Sequence, residues 1–423
     1  MIKLCSVEDD SAVIELRVAL SGSMLEVEER IQAVLNEAGV VLSHETLKRF
    51  DTDGSPIRMG AIRWSTKGQV QKIYQTPYGE VRLDRHVYQA SGGGKTYCPL
   101  DMDARIVAST TPLFAKMISH KVANNATTVV QEDLEQNHGR KVSRDYVHRT
   151  AEAVGAIAQL KEESWTYETP KLPRPVASVA VGLDGTCMFI SEDGWREAMS
   201  GTISLYADDG ERLHTIYIGG APEHGKGAFL KRMEHEIAHV KALYPTANSV
   251  GLADGAKCNW TFLADHTSFQ IIDFWHVAEY LDTAAKALYP NDEKERRQWL
   301  EKNRHRLKND PDAASDIIAQ LKETAAGTLP AAAKAEIDGV ITYFSNNWMR
   351  MNYHFCLCKN LPIGSGVTEA ACKTLVKHRL CASGMRWKEH GAGIVLSLRA
   401  LVLTKDRWSQ FWDKVNRFGF SFA

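Results

Sequence analysis

No stretch of this chain approaches the roughly eighteen consecutive apolar residues that a membrane-spanning helix needs. The N-terminal MIKLCSVEDD places acids where a secretory leader would carry its apolar segment. A cytoplasmic protein with no membrane partner is therefore expected. Cysteine is scarce, with 8 in 423 residues and none in a C-x-x-C arrangement, which argues against a disulfide framework and against a zinc ribbon. His354, Cys356 and Cys358 alternate along a segment that reads as extended, so they would share one strand face and offer a metal site. Buried free cysteine is the competing reading. An excess of either charge is also missing: Lys+Arg number 51 against Asp+Glu 52. Any nucleic-acid surface must then be local. Two basic stretches stand out, residues 372–390 with Lys373, Lys377, Arg379, Arg386 and Lys388, and residues 139–149 with Arg140, Lys141, Arg144 and Arg149.

The length exceeds that of one ordinary core and predicts two or three domains. Residues 1–111 read as an α+β region. Within it, VQKIYQTPYGEVRLDRHVYQ forms two alternating runs around a turn at Pro77-Tyr78-Gly79. Ser91-Gly92-Gly93-Gly94-Lys95-Thr96 resembles a phosphate-binding loop but has Gln89 where the motif needs glycine, so a surface loop is expected. Residues 112–168 read as helical, with a break at His138-Gly139 and Ser143 placed to cap the next helix. That helix would present Arg144, Tyr146, His148 and Arg149 to a DNA groove as part of a helix-turn-helix; an ordinary helical hairpin is the alternative.

A proline-containing linker, residues 169–175, leads into apolar, β-branched runs. VASVAVGLDGTCMFI is followed by GTISLYADDG and ERLHTIYIGG around an Asp209-Gly210 turn, then by a helix over 229–243 and the short strand NSVGLADG. FQII and a long helix come next. Residues 291–351 are charged and helix-rich, with Pro311 and Pro330 as breakers, and read as an inserted helical subdomain. A further helix starts within residues 367–381.

Three carboxylates are placed by this pattern at one edge of a mixed sheet: Asp184 and Asp254 at strand ends, and Glu369 in the first turn of a late helix. Phosphodiester chemistry explains such a gathering, since carboxylates holding divalent cations can activate an attacking oxygen and stabilise a leaving one. Each acid also has a structural reading, as a turn residue or as a partner for the positive end of a helix. Glu369, Lys373 and Lys377 recur every four residues on one helix face, which suits either a metal-bound phosphate with the DNA backbone beyond it or a solvated salt-bridge face.

The motifs Gly182-Leu183-Asp184-Gly185-Thr186, Ala253-Asp254-Gly255-Ala256 with Trp260, Asp273-Phe274-Trp275-His276, Gly364-Ser365-Gly366-Val367-Thr368-Glu369 and Ser383-Gly384-Met385-Arg386-Trp387 together resemble the ISKra-type insertion-sequence transposases of the DDE superfamily. More distantly they resemble the Mutator-like group. The resemblance implies an α/β, ribonuclease-H-like catalytic domain over 176–423, with Asp184, Asp254 and Glu369 as the catalytic and metal-holding residues. Asp273 and His276 would support the site, and Lys373, Lys377, Arg379 and Arg386 would contact DNA. It also implies Mg²⁺, with Mn²⁺ as a substitute, and double-stranded DNA, both transposon terminal inverted repeats and target, as partner. A homo-oligomer, at least a dimer on DNA, at the nucleoid would be the working form. A ribonuclease-H-fold nuclease or domesticated recombinase without strand transfer is one alternative; a catalytically inactive DNA-binding regulator is the other.

Overall fold

The computed structural model describes residues 2–223 and 226–420. Its contacts divide the chain into two units, Met1–Lys161 with Trp408–Ala423, and Glu162–Arg407.

In the first unit, β1 (Ile2–Val7) and β2 (Ala12–Leu16) form an antiparallel hairpin. Helix α1 (Met24–Lys48) starts with a capping box in which Ser23 and Glu26 satisfy each other's backbone N–H groups. An antiparallel sheet follows, in the order β3 (Ile57–Met59), β4 (Ile62–Gln75), β5 (Glu80–Ala90), β6 (Thr96–Tyr97). The expected turn closes β4 on β5, with the Thr76 N–H donating to the Gly79 carbonyl at 3.0 Å. Period-2 alternation turns Tyr74, Val81 and Leu83 inward, where they pack with Leu47, Leu100 and Ile106. Four helices come next: α2 (Pro99–Asp103), α3 (Pro112–Asn124), α4 (Thr127–His138) and α5 (Arg144–Lys161). Gly139, at φ +61°, ends α4 in the left-handed conformation that favours glycine, and the Ser143 hydroxyl accepts from the Tyr146 N–H at 3.1 Å.

The second unit is built on a mixed sheet ordered β11-β10-β7-β8-β9. Strands β7 (Ser178–Ile190), β8 (Gly194–Tyr206) and β9 (Arg212–Gly220) are antiparallel neighbours, and β10 (Asn248–Ala253) and β11 (Phe269–Ile272) run parallel to β7. A parallel return needs a crossover. It is supplied first by α6 (Gly227–Leu243), whose Phe229, Met233 and Ile237 bury against the sheet, and then by α7 (Lys257–His266). α7 was not anticipated, because its apolar residues are too few to declare a period. Helix α8 (Phe274–Leu288) leads into α9 (Glu293–Asn309), α10 (Ala313–Ala326) and α11 (Ala331–Asn347), which part near Pro311 and Pro330 as expected. Trp299, Leu307, Ile317, Leu321, Ile337 and Phe344 extend the sheet's own core into these helices.

Helix α12 (Tyr353–Cys358) corrects the extended reading of the His354-Cys356-Cys358 run. An alternation this short fits either period. Here Asn352 caps a helical turn by accepting from the Phe355 N–H, and the buried Tyr353 hydroxyl donates to the Ile272 carbonyl at 3.0 Å. Cys356 is therefore buried, whereas Cys358 lies one turn from His354 and is exposed. The three do not share a face. Helix α13 (Gly366–Ala371) runs on through a π-helical segment, Cys372–Lys377, into α14 (His378–Leu380). Helix α15 (Glu389–Leu403) packs along β9, and α16 (Arg407–Phe418) is grouped almost wholly with the first unit instead of closing the second. Among the described residues no helix is long and apolar enough to cross a membrane.

Candidate active site

The pairing of β10 with β7 fixes two of the acids. Leu252 is the register partner of Gly182, so Asp254 and Asp184, each two residues further along, stand at the same level of adjacent parallel strands. Asp184 is not at a strand end as expected. β7 continues past it to Ile190, held by the long antiparallel pairing with β8. Asp254 does leave the end of β10, and Gly255 at φ +122° turns the chain there in a conformation that side chains disfavour.

Glu369 reaches the same edge because α13 lies directly on β7. A Cβ on Gly182 would fall 2.0 Å from the Thr368 hydroxyl oxygen, so the glycine is what permits this approach. The buried hydroxyls of Thr202 and Thr368 then hydrogen-bond at 2.7 Å, fastening α13 to β8. Beyond it, the π-helical turn weakens the usual ladder, and Arg399 of α15 donates to the carbonyls of Thr374 and Leu375. The result is a cleft of about 220 Å³ lined by Asp184, Asp254, His276, Ser365, Glu369, Cys372, Lys373 and Lys377, among others.

The carboxylates in this cleft are differently held. Asp184 accepts from the Gly185 N–H at 2.7 Å and from the Cys372 thiol at 3.3 Å. Burial, and then the charges of Asp254 and Glu369, nevertheless raise its pKa above the ordinary carboxylate value. Burial also pushes the Cys372 thiol up to about 12, so it stays a protonated donor. Asp273, fully buried at the start of α8, accepts from the N–H and hydroxyl of Ser365 and from the N–H and Nδ1 of His276. Burial opposes its charge, but those donors outweigh burial and its pKa is lowered. His276 gains from the same contact: burial disfavours its cation, yet Asp273, Glu279 and Glu369 raise its pKa.

Ligand atoms of Asp273, His276 and Glu369 lie within 4.8 Å of one another. This grouping differs from the one expected. The Asp273 oxygens are already occupied by four donors, which makes that residue a brace, while Asp184, Asp254 and Glu369 are the carboxylates that line the cleft. The brace ends at Ser365, whose hydroxyl also lies 2.9 Å from a Glu369 oxygen. Ser365, Cys372 and Asn259, which donates to the Leu183 carbonyl at 3.4 Å, were not singled out by sequence. Only their positions, four before or three after Glu369 and five after Asp254, could have marked them.

The basic residues divide. Lys373 and Lys377 line the cleft, and Arg386 is exposed. Arg379 is corrected: it is 3% exposed and packs its guanidinium over Trp387, so it supports the fold instead of offering a charge to DNA. Arg144, His148 and Arg149 are exposed on α5, with Arg149 paired to Asp145. Tyr146 is also corrected, because its hydroxyl turns inward to Thr110 and burial raises its pKa.

No protein-family model and no curated protein matches this chain. What the site can do is therefore argued from its donors alone. Asp184, Asp254 and Glu369 line one cleft, but Asp184 and Asp254 lie outside the grouping whose ligand atoms approach within 4.8 Å. Carboxylate oxygens gathered around such a cleft are the donor type that hard cations such as Mg²⁺ or Mn²⁺ take. Two lysines on the same wall favour an anionic substrate.

Proposed function

We propose that the chain is a DDE-type DNA transposase with a ribonuclease-H-like catalytic domain. The observation that carries this reading is that Asp184, Asp254 and Glu369, from three separated segments, line one cleft together with Lys373 and Lys377. The sheet order, three antiparallel strands followed by two parallel ones, supports it, as do the helices inserted before the last acid.

In this mechanism Asp184, Asp254 and Glu369 are the residues that would hold Mg²⁺ beside the scissile phosphate. The cations, when bound, polarise the phosphate and lower the pKa of the attacking oxygen. Lys373 and Lys377 hold the phosphodiester backbone beside the acids. In the first step a water oxygen bonds to phosphorus while the bond to the 3′ oxygen breaks, leaving a 3′-hydroxyl and a 5′-phosphate. In the second, that 3′-hydroxyl attacks a target phosphate and expels the target's 3′ oxygen. Asp273 keeps Ser365 and His276 at the rim in fixed orientation. Two element ends must be joined to one target, which requires a homo-oligomer, and the exposed face of α5 with Arg144, His148 and Arg149 reads the ends.

The test is incubation of the full chain with paired terminal-repeat duplexes and Mg²⁺, scoring nicks and joined products. Nicks and joined products, both lost in Asp184→Asn, Asp254→Asn and Glu369→Gln, are expected. Nicks without joining assign a nuclease. End binding without either product, in Mg²⁺ or Mn²⁺, assigns a DNA-binding regulator.

A further inference from the structure

The first unit carries a second basic surface, separate from α5. Residues 54–70 and 85–100 contain no Asp or Glu at all, in a chain whose acids slightly outnumber its Lys and Arg. The fold brings these two stretches together at one end of the β3-β4-β5-β6 sheet, where Trp64 pairs with Ala90, Thr66 with Tyr88, and Gln89 with Thr96.

Strand alternation sorts this end into two faces. Trp64, Tyr88 and Tyr97 share one, where the rings of Trp64 and Tyr97 pack with centroids 5.8 Å apart. The other carries Arg58, Arg63, Ser65, Gln89 and Thr96. Arg58 and Arg63 are register partners on β3 and β4, so two exposed arginines stand directly opposite one another on the sheet. Like charges directly opposite in a sheet are destabilising, and a sequence shaped for stability alone would not place them there. The part-buried basic side chains of this sheet have acidic partners, Asp101 for Lys72 and Arg85 and Asp51 for His86. Among the described residues Arg58, Arg63, Lys67 and Lys95 have no acidic partner and are exposed. Lys95 follows Gly92, Gly93 and Gly94, around which no atom lies within 4 Å of a would-be Cβ, so this loop is open to close approach.

We propose that this end of the sheet, with Arg58 and Arg63 paired across β3 and β4, Lys67 at the irregular turn of β4 and Lys95 in the loop before β6, is a docking surface for the phosphate backbone of duplex DNA. The assignment rests on the reading of the chain as an enzyme acting on DNA. A phosphate between the two guanidiniums turns their repulsion into paired, charge-assisted hydrogen bonds. The surface offers charge and short polar groups with no projecting reading element, so it contributes affinity without sequence preference.

The experiment measures binding of the full chain to a terminal-repeat duplex and to a random duplex by fluorescence anisotropy across a salt series. The quadruple variant Arg58→Gln/Arg63→Gln/Lys67→Gln/Lys95→Gln should weaken both equally, by about ten-fold or more near physiological salt. Its slope of log K against log salt should fall by about 0.9 for each phosphate that the variant no longer neutralises. Its melting temperature should be unchanged or raised, because the residues are exposed and a repulsion is removed. Arg58→Lys/Arg63→Lys, which keeps the charge, should retain most of the binding. Wild-type chain that binds no duplex at all would defeat the transposase reading itself. Wild-type binding with an unchanged salt slope in the quadruple variant would defeat only this surface. Tighter, variant-sensitive binding of an RNA duplex would reassign the face to RNA.

Discussion

Gly182 of β7 and Thr368 of α13 stand so close that a Cβ on the glycine would lie 2.0 Å from the threonine hydroxyl oxygen and 2.9 Å from that of Thr202. This approach decides how near Glu369 comes to Asp184. Gly182→Ala is expected to push α13 off the sheet, costing about 1–3 kcal/mol of stability and abolishing metal-dependent cleavage. Thr368→Ala in the same chain should recover part of the stability, so a double-mutant cycle by denaturant unfolding should show strong coupling. Additive effects of the two changes would mean that the helix and strand do not touch there.

Asp184 is held against its own charge, by burial first and then by Asp254 and Glu369. A carboxyl whose pKa is higher folded than unfolded stabilises the fold below the unfolded value and loses that contribution as pH rises through the folded one. At neutral pH without divalent cation the ionised Asp184 therefore opposes folding. Asp184→Asn should raise the melting temperature at pH 7 in chelator, and the gain should shrink as pH falls toward about 4. Added Mg²⁺ or Mn²⁺ should raise the melting temperature of the wild type more than that of the variant. A variant less stable than the wild type at pH 7 in chelator would contradict this account.

On α5, exposure separates residues that the sequence grouped together. Tyr146→Phe should cost about 1 kcal/mol of stability through loss of its bond to Thr110 while leaving end recognition unchanged. Arg144→Ala and Arg149→Ala should leave stability nearly unchanged and weaken binding to element ends more than to random DNA. Thermal melts paired with anisotropy measurements distinguish the two patterns; equal weakening on both duplexes would reduce the arginines to backbone binding.

These cases show what the sequence could and could not carry. The strands of the second unit were legible because buried β-branched runs bounded by Asp-Gly turns have few other solutions. That Asp184, Asp254 and Glu369 would line one cleft was legible because the first two sit beside a glycine at a turn or close approach, as in Asp184-Gly185 and Asp254-Gly255, and the third just after a helix start. The extent of β7 was not, since Asp184-Gly185 looks like a strand ending when its partner strand is unknown. Direction of side chains was also out of reach. Arg379 and Lys377 are two residues apart on one basic helix, yet one is buried on Trp387 and the other lines the cleft. Short helices such as α12 follow from caps and tertiary hydrogen bonds, which periodicity does not report. Asp273 read as a site residue, but its task as a brace depends on Ser365, 92 residues away.

That brace has the opposite pH signature to Asp184. Asp273 is fully buried, and burial opposes its charge, but the N–H groups of Ser365 and His276, the Ser365 hydroxyl and the His276 ring together lower its pKa. A carboxyl with a depressed folded pKa contributes stability above its unfolded value, and that contribution is lost as pH falls through the folded one. Asp273→Asn turns an amide N–H₂ toward groups that are themselves donors, leaving at least one buried donor unsatisfied, so the variant should lose about 2–3 kcal/mol near pH 7. The deficit relative to wild type should narrow below about pH 4, where the carboxyl of the unfolded chain begins to protonate, and close as pH falls through the lowered folded value. Freed from the brace, Ser365 should also release Glu369, so the variant should bind Mn²⁺ less tightly even where it remains folded, as read by electron paramagnetic resonance in the absence of DNA. Thermal melts across pH 3–8 for Asp273→Asn and Asp184→Asn should therefore diverge in sign at neutral pH and converge on wild type in acid. Two variants that shift stability in the same direction at pH 7 would show that the two aspartates are not held in the contrasting ways described.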